Sequence, residues 1–131
     1  MAQLRCIVVT PEETAMEQES SFVVVPLFDG ELGVAPGHSP LIGRLGFGEL
    51  RLTASDGTKS RFYVDGGFVQ VANDVVTVLT GKTVPARDLD VAVAEEQLAD
   101  AMKRPVNTDE LLELRERAVL QARSQIRIAQ R

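Results

Sequence analysis

All ten glycines of this 131-residue chain lie at or before Gly81, and the residue pattern changes character at Pro85. Upstream, β-rich runs alternate with turn signals: Leu4 to Val9, Ser21 to Val25, Leu32 to Val34, Glu49 to Ala54, Arg61 to Val64, Phe68 to Val71 and Val75 to Thr80. Asp29-Gly30, Pro36-Gly37, Asp56-Gly57, Gly66-Gly67, Asn73-Asp74 and Gly81 punctuate them at the spacing of a sandwich or barrel. No helical period interrupts these runs, which argues against a parallel sheet, whose crossovers need helices between strands.

From Asp88 onward there is no glycine, and apolar positions recur with a period near 3.6. Val91, Ala94, Leu98 and Ala101 form one stripe; Leu111, Leu114, Ala118, Ala122, Ile126 and Ala129 form another. Two amphipathic helices are predicted. Arg104-Pro105-Val106 ends the first, and Asn107 with Glu110 offers a capping box for the second. So short a connection favours an antiparallel hairpin. The expected architecture is an all-β sandwich over residues 1–86 followed by an α-helical hairpin over residues 87–131. The alanines of the stripes bury little area, so the hairpin is expected to dock weakly and to move.

Length and composition narrow the function. The chain suits one compact core, or a small core with an appendage, but not two full enzyme domains. With no Trp and 5% aromatic residues, the core must rely on Val, Leu, Ile and Ala. No apolar run approaches the ~20 residues of a membrane span. Met1 to Thr10 lacks the basic start and cleavage site of a signal peptide, so a cytosolic compartment is expected. Cys6, the single cysteine, sits in the run L-R-C-I-V-V and reads as a small buried hydrophobe. The net charge of −5 argues against general nucleic-acid binding but hides an asymmetry. Residues 1–100 carry 7 basic and 15 acidic side chains, net −8, whereas residues 101–131 carry 7 and 4, net +3. Arg117 to Arg131 holds four arginines and no acid.

Several segments invite chemistry. Asp29 to Ile42 packs two turns and the sole histidine into one surface loop, where His38 is either an interface group or a solvated turn residue. Glu31 taken alone is a solvated carboxylate. Gly81-Lys82-Thr83 looks like the end of a phosphate loop, but Val76 stands where that loop needs glycine, and Val84-Pro85 where it needs a helix. A small nucleotide hydrolase using Lys82 and Thr83 therefore ranks last among the readings. One His and one Cys make neither a triad nor a metal cluster, and no metal is expected. Arg115, Arg123 and Arg127 recur at multiples of four and are expected to share one helical face, either wet or seeking an acidic partner.

These residues resemble the epsilon subunit of bacterial and chloroplast F-type ATP synthases along essentially the whole chain. The likeness rests on G-E-L-G-V-A-P-G-H-S-P-L from Gly30, on Y-V-D-G-G-F-V-Q-V-A-N-D-V-V-T-V-L from Tyr63, on Asp88-Leu89-Asp90, and on Q-I-R-I ending at Ile128. It implies about ten strands in the sandwich, and a non-catalytic central-stalk subunit that couples the gamma subunit to the c-ring. Glu31, Leu32 and Gly33 carry over to the ring contact and His38, Ser39 and Pro40 to the gamma contact. Arg115, Arg123 and Arg127 carry over to inhibitory contacts with the beta subunits, where the helices restrain ATP hydrolysis. In several bacterial relatives the first helix opens with an ATP-binding motif, Ile/Leu-Asp-x-x-Arg-Ala. Here Leu89 and Asp90 stand at its start, but Val93 replaces the arginine, which removes a phosphate partner and argues against ATP as a cofactor. The implied location is peripheral, held through the complex on the cytoplasmic side of a bacterial membrane, or on the stromal side of a thylakoid. From a different class, the alternative is a free-standing β-sandwich binding module that self-associates through its helices.

Overall fold

The computed structural model describes residues 3–131 and divides into two units, one ending at Pro85 and one spanning Ala86–Arg131. The described residues of the first form eight strands: β1 (Leu4–Val9), β2 (Thr14–Ser20), β3 (Phe22–Leu27), β4 (Gly30–Val34), β5 (Leu41–Thr53), β6 (Lys59–Ala72), β7 (Val75–Leu79) and β8 (Thr83–Pro85). They pair in the order β2-β1-β7-β6-β5-β3-β4, with β8 on β6. Only the β1–β7 pair is parallel among them.

Eight strands rather than ten build the sandwich because two of them are long. β5 and β6 keep one register from Leu41↔Val71 to Thr53↔Lys59. The Leu41–Leu45 end of β5 pairs with the part of β6 that leads to β7, β1 and β2. The Phe47–Thr53 end pairs with the part flanked by β8, and itself borders β3, which β4 flanks on its other side. Each long strand thus serves both layers. Gly66 and Gly67, expected to end a strand, instead let β6 bend and continue, with φ of 71° and 107°. At Gly67 a Cβ would lie 1.8 Å from the Leu79 carbonyl oxygen, so no other residue fits there without moving the backbone.

Alternation along the strands sends one set of side chains inward. Leu4, Cys6 and Val8 of β1, Val23 and Val25 of β3, Leu50 and Leu52 of β5 and Val76 and Val78 of β7 belong to one buried cluster. Burying each Val or Leu is worth about 1.5–3 kcal/mol. β2 was absent from the expectation because T-A-M-E-Q-E-S has few apolar residues. It is an edge strand held through its backbone to β1, and its glutamates discourage further pairing. β8 also lies at an edge, where Pro85 is tolerated. Asn73 and Asp74, at φ of 52° and 60°, form the tight turn that joins Ala72 to Val75. The β3–β4 turn falls on Phe28 and Asp29, one residue earlier than expected, with Gly30 already paired in β4.

The second unit opens with a 3-10 turn at Ala86–Asp88 and continues as α1 (Val91–Met102) and α2 (Asp109–Ala129). Asp90 caps α1, its carboxylate accepting from the backbone N–H of Ala92 at 2.9 Å and of Val93 at 3.3 Å. The cap of α2 is Thr108, not Asn107: its Oγ1 accepts from the Leu111 N–H at 3.1 Å. Thr108 has the extended backbone a cap needs, and Asp109 and Glu110 then fall in the first turn, where negative charge suits the helix dipole. Ala94, Ala101 and Ala122 are buried as the stripes predict, but Leu114 is 59% exposed while Ser124 and Ile128, off the stripe, are buried. Neither helix is long and apolar enough to cross a membrane.

Candidate functional site

The loop from Asp29 to Ile42 is built as strand β4, a turn at Pro36-Gly37 and the start of β5. Strand alternation divides its first candidate trio. Leu32 packs against the core cluster, whereas Glu31 and Gly33 face outward and are exposed. At Gly33 a Cβ would sit 2.6 Å from the tip of the Phe22 ring, so a larger residue there would displace that partly exposed ring. Glu31 does not stand alone. Arg51 grips it with a two-pronged guanidinium, Nη1 to Oε2 at 2.6 Å and Nη2 to Oε1 at 3.1 Å. Hydrogen bonding to Glu31 raises the Arg51 pKa, partial burial opposes this, and Glu49 adds to the rise. Glu49 also accepts from Arg61 Nε at 2.7 Å.

The second trio lies past the far end of β4, which carries Val34 about 10 Å beyond Glu31, and past the turn at Pro36-Gly37 that follows it. His38 is half-buried, while Ser39 and Pro40 are exposed. The His38 N–H donates to the Ala35 carbonyl at 3.2 Å, and Nδ1 lies 2.7 Å from the Ser39 carbonyl, which can only accept, so Nδ1 carries the proton in that contact. The Gly37 N–H donates to Asp74 Oδ1 at 2.7 Å, which ties this turn to the β6–β7 hairpin. Sequence reasoning missed an apolar surface beside it. Ile42 is 77% exposed and Phe68 55% exposed, and Phe68 pairs across strands with the exposed Leu79. Arg44, opposite Phe68, sets its guanidinium 5.8 Å from the Phe28 ring centroid. The signal was present as large apolar residues at outward positions of otherwise well-patterned strands.

On α2 the three arginines do not act as one row. Steps of four residues drift by about 40° each on a helix, so Arg127 lies about 120° around from Arg115. Arg115 and Arg123 line an open groove of ≈370 Å³ with Met102, Glu116, Val119 and Leu120. Arg127 instead turns its Nη2 to Ser124 Oγ at 3.4 Å. At the start of α1 the Asp90 carboxylate is occupied in capping, and Val93 is exposed.

Lys82 lies just before strand β8 and Thr83 opens it, where a phosphate loop would need a helix, and the Lys82 carbonyl accepts from the Asp65 N–H and the Thr80 hydroxyl. Cys6 is fully buried, and desolvation pushes its thiol up to about 12. Among the described residues no group of three or more His, Cys, Asp or Glu is placed to hold a metal ion.

The family model for the ATP synthase delta/epsilon chain beta-sandwich domain matches residues 3–86. The ATP synthase epsilon chain of Rhodopirellula baltica is 50% identical over 124 residues, covering 95% of this chain and 96% of the relative. That of Granulibacter bethesdensis is 37% identical over 111 residues, covering 85% and 82%. The fold is shared with a chain of the Euglena gracilis mitochondrial ATP synthase, at a TM-score of 0.85, 22% identity and coverage of 95% of this chain and 79% of that one. It is also shared with a chain of the Tetrahymena thermophila mitochondrial ATP synthase central stalk and c-ring, at a TM-score of 0.74, 12% identity and 96% coverage of both. With both the family model and the relatives in agreement, the chain belongs to the epsilon family of F-type ATP synthases, and is a subunit of that enzyme complex rather than a catalyst itself.

Proposed function

We propose that this chain is the central-stalk rotor subunit that couples the gamma subunit to the c-ring of a proton-translocating ATP synthase, and that its helices restrain ATP hydrolysis. The observation that carries this reading is the reach of the 50% identity, which covers 95% of the chain and so includes sandwich and helices alike. The two ends of β4 supply two surfaces. At one, Glu31 and Gly33 offer a polar tip suited to the polar loops of the ring. At the other, His38, Ser39 and Pro40 adjoin the exposed Ile42, and the neighbouring apolar surface suits a packed interface with gamma. Arg115 and Arg123 beside the groove suit acidic segments of the beta subunits. The chain is held at the cytoplasmic face of a bacterial membrane through the complex. It needs no nucleotide of its own, since Asp90 serves as a cap and Val93 supplies no charge for a phosphate.

Both arms are testable in ATP synthase depleted of this subunit. Adding the full chain should restore ATP-driven proton pumping, and failure to bind gamma or to restore pumping would sink the coupling role. A chain ending at Glu116 lacks the acid-free stretch from Arg117 to Arg131, and it should leave ATP hydrolysis faster than the full chain does. An equal rate would end the inhibitory reading.

A further inference from the structure

Glu49 is an unusual residue for its position: it lies in the run Phe47-Gly48-Glu49-Leu50-Arg51-Leu52 of β5, and only 3% of its side chain is exposed. Such a carboxylate is stable only when its charge is met. Arg61 Nε donates to one oxygen at 2.7 Å and Arg51 Nη1 to the other at 3.1 Å. Arg51 then reaches outward. Its Cα pairs with Val24 of β3, and Val24 pairs on its other side with Gly33 of β4. The Arg51 and Glu31 side chains therefore meet over β3 and together span the width between its flanking strands, about 10 Å, with the guanidinium gripping both oxygens of Glu31 on the edge strand. Arg61, Glu49, Arg51 and Glu31 form a line of alternating charge in which Glu49 is buried, the two arginines are about a third exposed and Glu31 is the exposed tip.

Stability does not explain the outer link. Glu31 is about half exposed, and a pair of that kind contributes little to folding. What the pair does is to fix a long carboxylate side chain that would otherwise sample many rotamers, and a partner then need not order it on binding. We propose that Arg51 is a positioning residue for the Glu31 contact, and that Glu49 and Arg61 hold Arg51 ready for it. This rests on the reading of Glu31 as the ring contact. It adds the chemistry of the recognised surface: a carboxylate and a guanidinium presented together, an acceptor beside donors, fitted to a polar loop with both kinds of group rather than to a lone cation.

The test is the affinity of the full chain for ATP synthase depleted of this subunit, with ATP-driven proton pumping as a second readout. Glu31→Gln and Arg51→Gln should each weaken binding by about tenfold, the equivalent of about 1.4 kcal/mol. The double variant should be no weaker than either single one, because both act through one contact. Arg51→Lys keeps the charge over Glu49 but loses the fork, and should recover less than half of the loss. Thermal unfolding of the free full chain separates position from fold. If Arg51→Gln lowers the melting midpoint, the comparison is made with Arg51→Lys. Unchanged binding by Glu31→Gln would overturn the ring contact and the positioning role together. A Glu31→Gln loss that Arg51→Gln does not share, or losses that add in the double variant, would overturn positioning alone and leave the contact standing.

Discussion

The two units are held together by different means. The sandwich buries one cluster of fourteen residues, all but one of them Val or Leu, contributed by β1, β3, β4, β5, β6 and β7. The helical unit buries only Ala94, Ala101, Ala122 and Ile128 among its apolar residues. A buried alanine methyl is worth about 0.8 kcal/mol, against about 1.5–3 kcal/mol for each Val or Leu. The difference teaches which unit serves as scaffold and which as adjustable part. Under the function proposed above, a coupling body must hold the ends of β4 at fixed spacing, whereas a regulatory pair of helices must exchange partners at small cost.

The sharpest way to break this comparison is at the bend of the long strand. Gly67→Ala places a Cβ against the Leu79 carbonyl at a backbone angle alanine avoids, and should destabilise the sandwich by about 4 kcal/mol in urea unfolding. A loss under about 1 kcal/mol would mean that β6 can bend elsewhere. Next comes a matched pair. Leu52→Ala empties a fully buried site and should cost about 3 kcal/mol, while Ala101→Gly in α1 should cost about 1 kcal/mol. Amide exchange read by unit would show the first loss spread through β3, β5 and β6 and the second confined to the helices. Equal costs would erase the distinction between scaffold and adjustable part.

Which parts were readable from the sequence follows the same division. The sandwich was legible because its strands alternate inward Val and Leu with polar residues, and the helices because their period changes. The strand count failed at Gly66-Gly67, where glycine marks a bend in a continuing strand as readily as a turn. β2 stayed hidden because an edge strand is held by backbone hydrogen bonds that leave no apolar signature. Within the candidate site, the family resemblance nominated Glu31, while the grip of Arg51 upon it left no mark in the sequence. Arg51 and Arg61 become neighbours only through the β5–β6 register, and Glu31 joins them only because β4 borders β3. A buried acid between apolar residues, Glu49 in G-E-L-R-L, was the available clue that cations had to be near.

Smaller effects sharpen the comparison further. Cys6 ionises near 9.0 when solvated and near 12 in the folded sandwich, because burial disfavours the thiolate. Between those values the unfolded chain loses a proton that the folded chain keeps, so stability is full below about pH 9 and falls as pH rises toward about 12, by up to about 1.4 kcal/mol per unit. Cys6→Ala should flatten that part of the pH profile of sandwich unfolding, and an unchanged slope would assign it to other groups. The helical unit contains no cysteine and should not share the difference.

The smallest expected change tests how α2 begins. Thr108→Ala removes the hydroxyl that accepts the Leu111 N–H, at a cost of about 1 kcal/mol. Amide exchange in the first turns of α2 should accelerate by about fivefold, a value equal to that energy, with no change in β5 or β6. Asn107→Ala should change neither. An effect at Asn107 without one at Thr108 would move the cap back one residue and lengthen α2 by one residue at its start, with the angles between its arginines unchanged. Arg115 and Arg123 keep their places along the groove in either case, so the cap sets where α2 begins and not which cations line that groove.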